Sequence, residues 1–390
     1  MAERIVVGMS GGVDSSVAAA LLVEQGHEVV GVTLRVWPGR EPEEGGKRFG
    51  SCCAPEAAHD AREVARRLGI PYYLLNSERE FDETVVERFA LEYRAGRTPV
   101  PCVVCNQKVK FGSLLHRARA WEAAAVATGH YARITRDERT GRMLLWRGRD
   151  ERKDQSDFLW PLTQAQLAAA RFPVGAMTKD AVRDRARALG LVTADTPESQ
   201  EICFIPDDDY RGFLRLRSPD AFRPGPIVDG QGTVLGRHQG LPNYTVGQRR
   251  GLGLSGGRPL YVTALDADRN TVVVGPAEET EADRLWAEQV NLISIERLDG
   301  PVQVTARIRH NHVPAAATVL PGPAGDHGRQ RVEVRFATPQ RAISPGQSVV
   351  FYQGDLVVGG GVIARTSRGG VGAPRTVAHR EPPRGNTCPK

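Results

Sequence analysis

The stretch VVGMSGGVDSS, Val6 to Ser16, constrains the fold more than any other part of this 390-residue chain. The short strand-like run RIVVG (Arg4–Gly8) passes into Ser-Gly-Gly, then an Asp and two serines, and then a run with apolar residues at helical spacing. A turn needs one glycine. Two glycines ringed by hydroxyls and a carboxylate make a loop shaped around a ligand, because glycine lets the backbone approach it closely. The N–H groups of Ser10, Gly11 and Gly12, the hydroxyls of Ser10, Ser15 and Ser16 and a helix N-terminus from Val13 can converge on one anion, with phosphate the obvious candidate. Asp14 reads either as a Mg²⁺ ligand or as the helix cap. A Walker loop would need Gly-Lys-Ser/Thr and a dinucleotide fingerprint three spaced glycines; neither is present. A plain strand-to-helix turn is the weaker reading, since it would not need so many donors.

The first 130 residues alternate between strand-like and helix-like segments. Arg4–Gly8, His27–Leu34, Pro71–Leu75 and Ala123–Gly129 read as strands, and Val13–Gln25, Pro55–Leu68, Phe81–Tyr93 and Asn106–Ala120 as helices. Such alternation predicts an α/β fold, a doubly wound, Rossmann-like parallel sheet with helices on both faces, whose ligands bind at the carboxyl ends of the strands. Those ends carry Met9 to Ser15, Leu34 and Gly129. Beyond about Pro206 the texture changes to Gly, Pro and short alternating strands, with hairpins expected at Gly225–Gly236 and Pro259–Gly275 and a separate small barrel beyond. The expected division is an α/β domain over 1–205, a small central domain over 206–280, a C-terminal β-barrel over 281–365 and a disordered basic tail over 366–390. The tail carries five basic residues and one acid, +4 of the net +6, so the body is nearly balanced and net charge says little about a polyanionic partner. No apolar run is long enough to span a bilayer and Met1–Ile5 lacks the core of a signal peptide, so a cytoplasmic protein is expected.

In that setting six cysteines read as chemistry or metal binding, not as a disulfide framework. Cys102 and Cys105 form C-x-x-C within AGRTPVPCVVCNQKVKF (Ala95–Phe111), ahead of a helix expected at about Asn106 and near Lys108 and Lys110. A thiol placed there is a competent nucleophile, although C-x-x-C alone fits a redox pair, half a metal site or a nucleophile with its neighbour. Cys203, in SQEICFIPDDDYRGFL, reads by itself as a small buried hydrophobe. Cys52 and Cys53 read as a surface pair in a loop, and Cys388 as incidental in the tail.

SGGVDSS resembles the PP-loop of the N-type ATP pyrophosphatases, which split ATP into pyrophosphate and an adenylylated substrate. Further phrases narrow the likeness: LEYRAGRTPVPCVVCN (Leu91–Asn106), ATGHYAR (Ala127–Arg133), KDQSDFLWPL (Lys153–Leu162), FPVG (Phe172–Gly175), HQGLPNYTVGQRRGLGL (His238–Leu254) and SPGQSVVFY (Ser344–Tyr352). In this order, over about Arg4 to Ile363, they resemble the tRNA-specific 2-thiouridylase family. The resemblance implies an enzyme, a tRNA-uridine 2-sulfurtransferase, that binds ATP through Gly8, Met9, Ser10, Gly11, Gly12, Val13, Asp14 and Ser15, with Leu34 and Gly129 beside the adenosine. It implies adenylylation of the 2-oxygen of the wobble uridine, a persulfide on Cys203 and Cys105 as nucleophile, leaving a transient disulfide between the two. Its implied partners are a tRNA with a modifiable wobble uridine and a sulfur-relay donor, a cysteine desulfurase or a carrier. Contacts with tRNA carry over to Val100, Pro101 and Cys102 near the target base, and to His130, Lys153, Asp154, Gln155, Arg309, His310 and Gln347. Chemistry agrees: an amide-like carbonyl oxygen leaves poorly until AMP is attached, and two thiols are needed if one delivers sulfur and the other resolves the bond to it.

Cys102 and Val100 depart from the family pattern, where many relatives carry Asp and Asn. Cys102, Cys105 and Cys203 are then also candidate ligands of a [4Fe–4S] cluster, which would carry the sulfur in place of the persulfide; the persulfide route is favoured. Two rival readings are an amidating ligase, which would need a glutaminase that this chain does not show, and a nucleotide-gated tRNA-binding protein without catalysis.

Overall fold

The computed structural model describes residues 2–36, 55–197, 202–205, 208–254, 258–322 and 330–367. Cys52, Cys53, Cys388, the charged loop over 38–50 and the basic tail from Arg368 onward lie outside them. Five parallel strands form the first sheet: β1 (Arg4–Gly8), β2 (Glu28–Arg35), β3 (Tyr72–Asn76), β4 (Ala125–Ala127) and, after a hairpin of β5 (Ala132–Arg136) and β6 (Met143–Arg147), β7 (Ala170–Arg171). The order is β3-β2-β1-β4-β7. Ile5, Val6 and Val7 are fully buried, as a central strand covered on both faces requires. The chain winds outward from β1 in both directions, so the crevice between the carboxyl ends of β1 and β4 is the topological switch point.

Helix α1 (Val13–Glu24) leaves that crevice with Val17, Ala18 and Ala19 fully buried, and packs with α2 (Pro55–Leu68) and the helix Lys179–Ala188 on one face of the sheet. On the other face, Leu114, Leu115 and Ala118 share a core with Trp160 and with Val350, Tyr352 and Val357 of the C-terminal region.

The central sheet contains β8 (Gly225–Val228), β9 (Val234–His238), β10 (Tyr261–Asp266) and β11 (Thr271–Gly275) in the order β10-β11-β8-β9. Both expected hairpins form. The turn of the first is closed by the Asp229 carboxylate, which accepts from the N–H groups of Gln231 and Thr233 at 2.9 and 2.8 Å. The barrel contains β12 (Glu281–Leu292), β13 (Val302–Arg307), β14 (Ala315–Pro321), β15 (Val332–Arg341), β16 (Ser348–Gln353) and β17 (Leu356–Thr366). It closes because β12, irregular at Ala282/Arg284, Trp286/Ala287 and Glu288/Asn291, pairs with both β15 and β17.

The barrel is not separate, as the sequence suggested. The β5–β6 hairpin of the first domain joins it edge to edge through Leu356 and Trp146. Trp160 packs so closely on Gly360 that a Cβ there would lie 2.8 Å from its ring, while its indole N–H donates to Ser348 Oγ at 3.0 Å. The Asn291 side-chain amide donates to the Trp160 and Leu162 carbonyls at 2.6 and 3.0 Å. None of the described helices is long and apolar enough to cross a membrane.

Candidate active site

The glycine loop sits at the switch point. Gly11 has φ +73°, and a Cβ on it would meet the Ala57 carbonyl oxygen of α2, so only glycine fits there. Gly12, not Asp14, is the N-cap, and its carbonyl accepts from the hydroxyls of Ser15 and Ser16 at 3.1 and 2.9 Å. Those two buried serines therefore brace the loop. Exposed Ser10 donates its N–H to Ser15 Oγ at 3.1 Å. Met9 N–H donates to Val32 O, and Thr33 Oγ1 donates to Met9 O, fixing the loop to β2 just below Leu34. From the other side, Gly129 seats against the start of α1, where an added Cβ would lie 2.6 Å from Asp14 C and Ser15 N. Met9, Leu34 and Gly129 thus lie at or just beyond the carboxyl ends of β1, β2 and β4. Gly129→Ala is expected to displace the first turn of α1, costing about 1–3 kcal/mol of stability and weakening ATP binding about tenfold, as equilibrium titration would show.

Asp14 has partners that the sequence did not suggest. Lys179 Nζ donates to both carboxylate oxygens at 2.8 Å, and the Tyr131 hydroxyl donates to Oδ1 at 2.7 Å. Its charge is already neutralised by an ammonium that is itself nearly buried, so the expected Mg²⁺ role does not fit Asp14. Lys179 opens its helix, behind the Thr178 cap, where the helix dipole disfavours a cation. That misplaced charge was the one signal in the sequence that this lysine has a tertiary partner.

The helix carrying C-x-x-C starts earlier than expected, at Pro101, and widens into a π-helical stretch over Cys105–Ser113. Cys102 therefore lies in the first turn and Cys105 one turn inside, so the helix-terminus argument for a reactive thiol applies to Cys102's position and not to Cys105's. The Gln166 side-chain amide donates to the carbonyls of Gln107 and Phe111 at 2.9 and 2.8 Å, giving partners to carbonyls of the π-helical stretch. Cys105 and Cys203 both pack, half-buried, on one apolar cluster with Phe81, Phe89 and Phe204 at its centre. Cys102 instead is exposed and lines a cavity. Among the described residues no group of three or more His, Cys, Asp or Glu is arranged to hold a metal ion.

That cavity, about 370 Å³, lies between the first domain and the barrel and brings together Val100, Pro101, Cys102, Arg309, His310 and Gln347, which are far apart in sequence. Gln347 donates to Thr98 O at 3.1 Å and Arg309 to Arg341 O at 3.2 Å. The neighbouring KDQ segment divides. Lys153 is half-buried, and Gln155 accepts from Tyr131 N–H at 3.1 Å. Asp154, only 3% exposed, accepts from the N–H groups of Gly148 and Ser156 and from Arg307, so it holds the loop and does not reach the surface. Burial raises its pKa. His130 is set apart from the cavity lining, between Phe111 and Phe172, with Nδ1 2.6 Å from the Thr128 hydroxyl; burial and nearby Lys110 hold its pKa well below 6.5, so it is neutral at pH 7. The sequence reading assigned no role to Tyr131, Asp157, Arg307 or Lys179.

Comparison with known proteins adds a consistent picture. A family model described as tRNA methyl transferase HUP domain matches residues 3–207, one described as tRNA methyl transferase PRC-barrel domain matches 211–276, and one described as aminomethyltransferase beta-barrel domain matches 282–363. A protein of Heliobacterium modesticaldum named tRNA-specific 2-thiouridylase MnmA is 54% identical over 94% of this chain and 93% of its own. Its namesakes in Symbiobacterium thermophilum and Acetivibrio thermocellus are 52% and 48% identical, over 94% and 93% of this chain and 93% and 99% of their own.

Proposed function

The chain belongs to the tRNA-specific 2-thiouridylase family and is an ATP-using tRNA-uridine 2-sulfurtransferase, and from that premise we propose that it activates the wobble uridine by adenylylation and delivers sulfur through Cys203 and Cys105. The observation that carries this reading is the convergence of the two thiols on one aromatic cluster, beside a cavity lined by Cys102, Arg309, His310 and Gln347.

ATP binds over Gly8–Ser15 with its adenosine between Leu34 and Gly129, the loop N–H groups taking phosphate oxygens. The wobble base leaves the stack and enters the cavity. Its 2-oxygen attacks the α-phosphate, pyrophosphate leaves and the N3 proton is lost, so the oxygen becomes part of an AMP leaving group. The terminal sulfur of a Cys203 persulfide then attacks C2, the C2–O bond breaks and AMP departs. Cys105 thiolate next attacks Cys203 Sγ; the S–S bond breaks, the electron pair stays on the sulfur now bound to C2, and a Cys105–Cys203 disulfide remains. An external dithiol returns the pair to thiols, and a cysteine desulfurase or carrier protein reloads Cys203. A cycle that must return its disulfide to thiols at every turn suits a reducing, cytoplasmic setting.

Reconstitution tests this reading. Chain, ATP, a persulfide donor and tRNA should yield 2-thiouridine and AMP in equal amounts; product formed without ATP, or with cytidine at the wobble position, would overturn it. Cys102 is not needed for sulfur transfer on this route. Cys102→Asp is expected to keep thiolation within about threefold of wild type. Loss of thiolation together with a stoichiometric iron–sulfide complement in the wild type would favour the cluster instead.

A further inference from the structure

Beneath the cavity is a group of charges contributed by two domains. Asp157, 5% exposed, lies in the short 3₁₀ helix Ser156–Phe158 of the first domain; Arg307 and His310 come from the end of β13 in the barrel and the turn after it. His310 Nδ1 stands 2.9 Å from Asp157 Oδ2. Arg307 Nη1 lies 3.3 Å from Asp154 Oδ2 and 3.7 Å from Asp157 Oδ2, holding both buried carboxylates in place. Phe158 covers the imidazole, with ring centroids 4.7 Å apart and planes 35° from each other. Ser156 Oγ links Asp154 to the Tyr352 hydroxyl. An imidazole that donates Nδ1–H to a carboxylate has its ring plane fixed, and only when protonated does it also carry Nε2–H as an outward donor.

We propose that Asp157 is a positioning residue: it holds the His310 imidazolium across the domain junction so that Nε2–H donates to the RNA in the cavity, completing the donor only when barrel and first domain are docked. This rests on the reading that the cavity holds tRNA. The acceptor is a backbone phosphate oxygen or a base carbonyl, both of which take a charged donor. The charged groups acting on His310 are Asp157, Asp154 and Arg307, and Arg309, Asp208 and Cys102 share the cavity lining with it. The hydrogen bond to Asp157 raises the His310 pKa above 6.5, so its charge, and the interdomain contribution that depends on it, is fully present below pH 6.5 and is lost as pH rises through the raised value.

The test is tRNA affinity at pH 6 and pH 7.5 for the full chain and for Asp157→Asn, His310→Gln and the double variant. Asp157→Asn should bind more weakly than wild type at pH 7.5, by up to about tenfold, and the deficit should shrink at pH 6 as His310 protonates without the carboxylate. His310→Gln should lose about tenfold at both values, and adding Asp157→Asn to it should change nothing more. Equal losses at both values for Asp157→Asn, or a further loss in the double variant, would make Asp157 merely structural and overturn the proposal. Wild-type affinity in His310→Gln would instead overturn the placement of tRNA in this cavity. A proton titration of His310 by NMR that does not fall in Asp157→Asn would contradict the proposal even if that variant bound poorly through misfolding.

Discussion

Cys203→Ser is expected to leave tRNA without detectable 2-thiouridine, a loss of about 10³-fold or more in turnover. A hydroxyl forms no bond analogous to the persulfide and offers no sulfur for Cys105 to attack when the adduct is resolved. Cys105→Ser should fail differently. Its Cys203 still accepts sulfur and attacks C2, so the RNA is trapped on the protein as a mixed disulfide that dithiothreitol releases. Mass spectrometry of the nucleosides, with a non-reducing gel for the adduct, reads both outcomes. Wild-type thiouridine in Cys203→Ser would sink the two-thiol route, and a trapped adduct in that variant in place of Cys105→Ser would reverse the roles.

Lys179→Met should have the second largest effect. It removes the ammonium that meets both Asp14 oxygens and leaves a carboxylate against the Tyr131 hydroxyl at the base of the phosphate loop. Breaking such a pair from one side costs about 3–5 kcal/mol when fully buried; Asp14 keeps 30% exposure, so about 2–3 kcal/mol is expected. An unbalanced negative charge beside the triphosphate should also lower AMP release about a hundredfold. Adding Asp14→Asn should restore most of the stability, since the two losses share one cause. Urea unfolding at unchanged slope measures the first effect and AMP release the second. Unchanged AMP release in Lys179→Met would separate this pair from ATP chemistry.

What the sequence showed of this site follows contact range. The loop from Gly8 to Ser15 is a local device: its glycines, hydroxyls and helix start are adjacent, so its shape was legible. Strands β1 to β4 and the helices between them were legible from their apolar runs and period, whereas β7, two residues long, offers no period to read. The Asp14–Lys179 pair spans 165 positions and the Asp157–His310 pair 153, and no periodicity encodes either. The thiols were legible as reactive candidates only through motif likeness; Cys203 alone looks like a small apolar residue, and it does pack as one. The hairpin Ala132–Arg147 was missed for a related reason. The sequence reading assigned it no element, and it meets the barrel through the Leu356–Trp146 pairing, which joins two domains that look independent in sequence.

The central claim is that the uridine 2-oxygen leaves as part of AMP. A tRNA carrying ¹⁸O at the 2-position of its wobble uridine, turned over once by the full chain with ATP and a persulfide donor, tests it most directly. One ¹⁸O is expected in the phosphate of each AMP released, matched to each 2-thiouridine formed. Label appearing in water, pyrophosphate or inorganic phosphate, with unlabelled AMP, would contradict it.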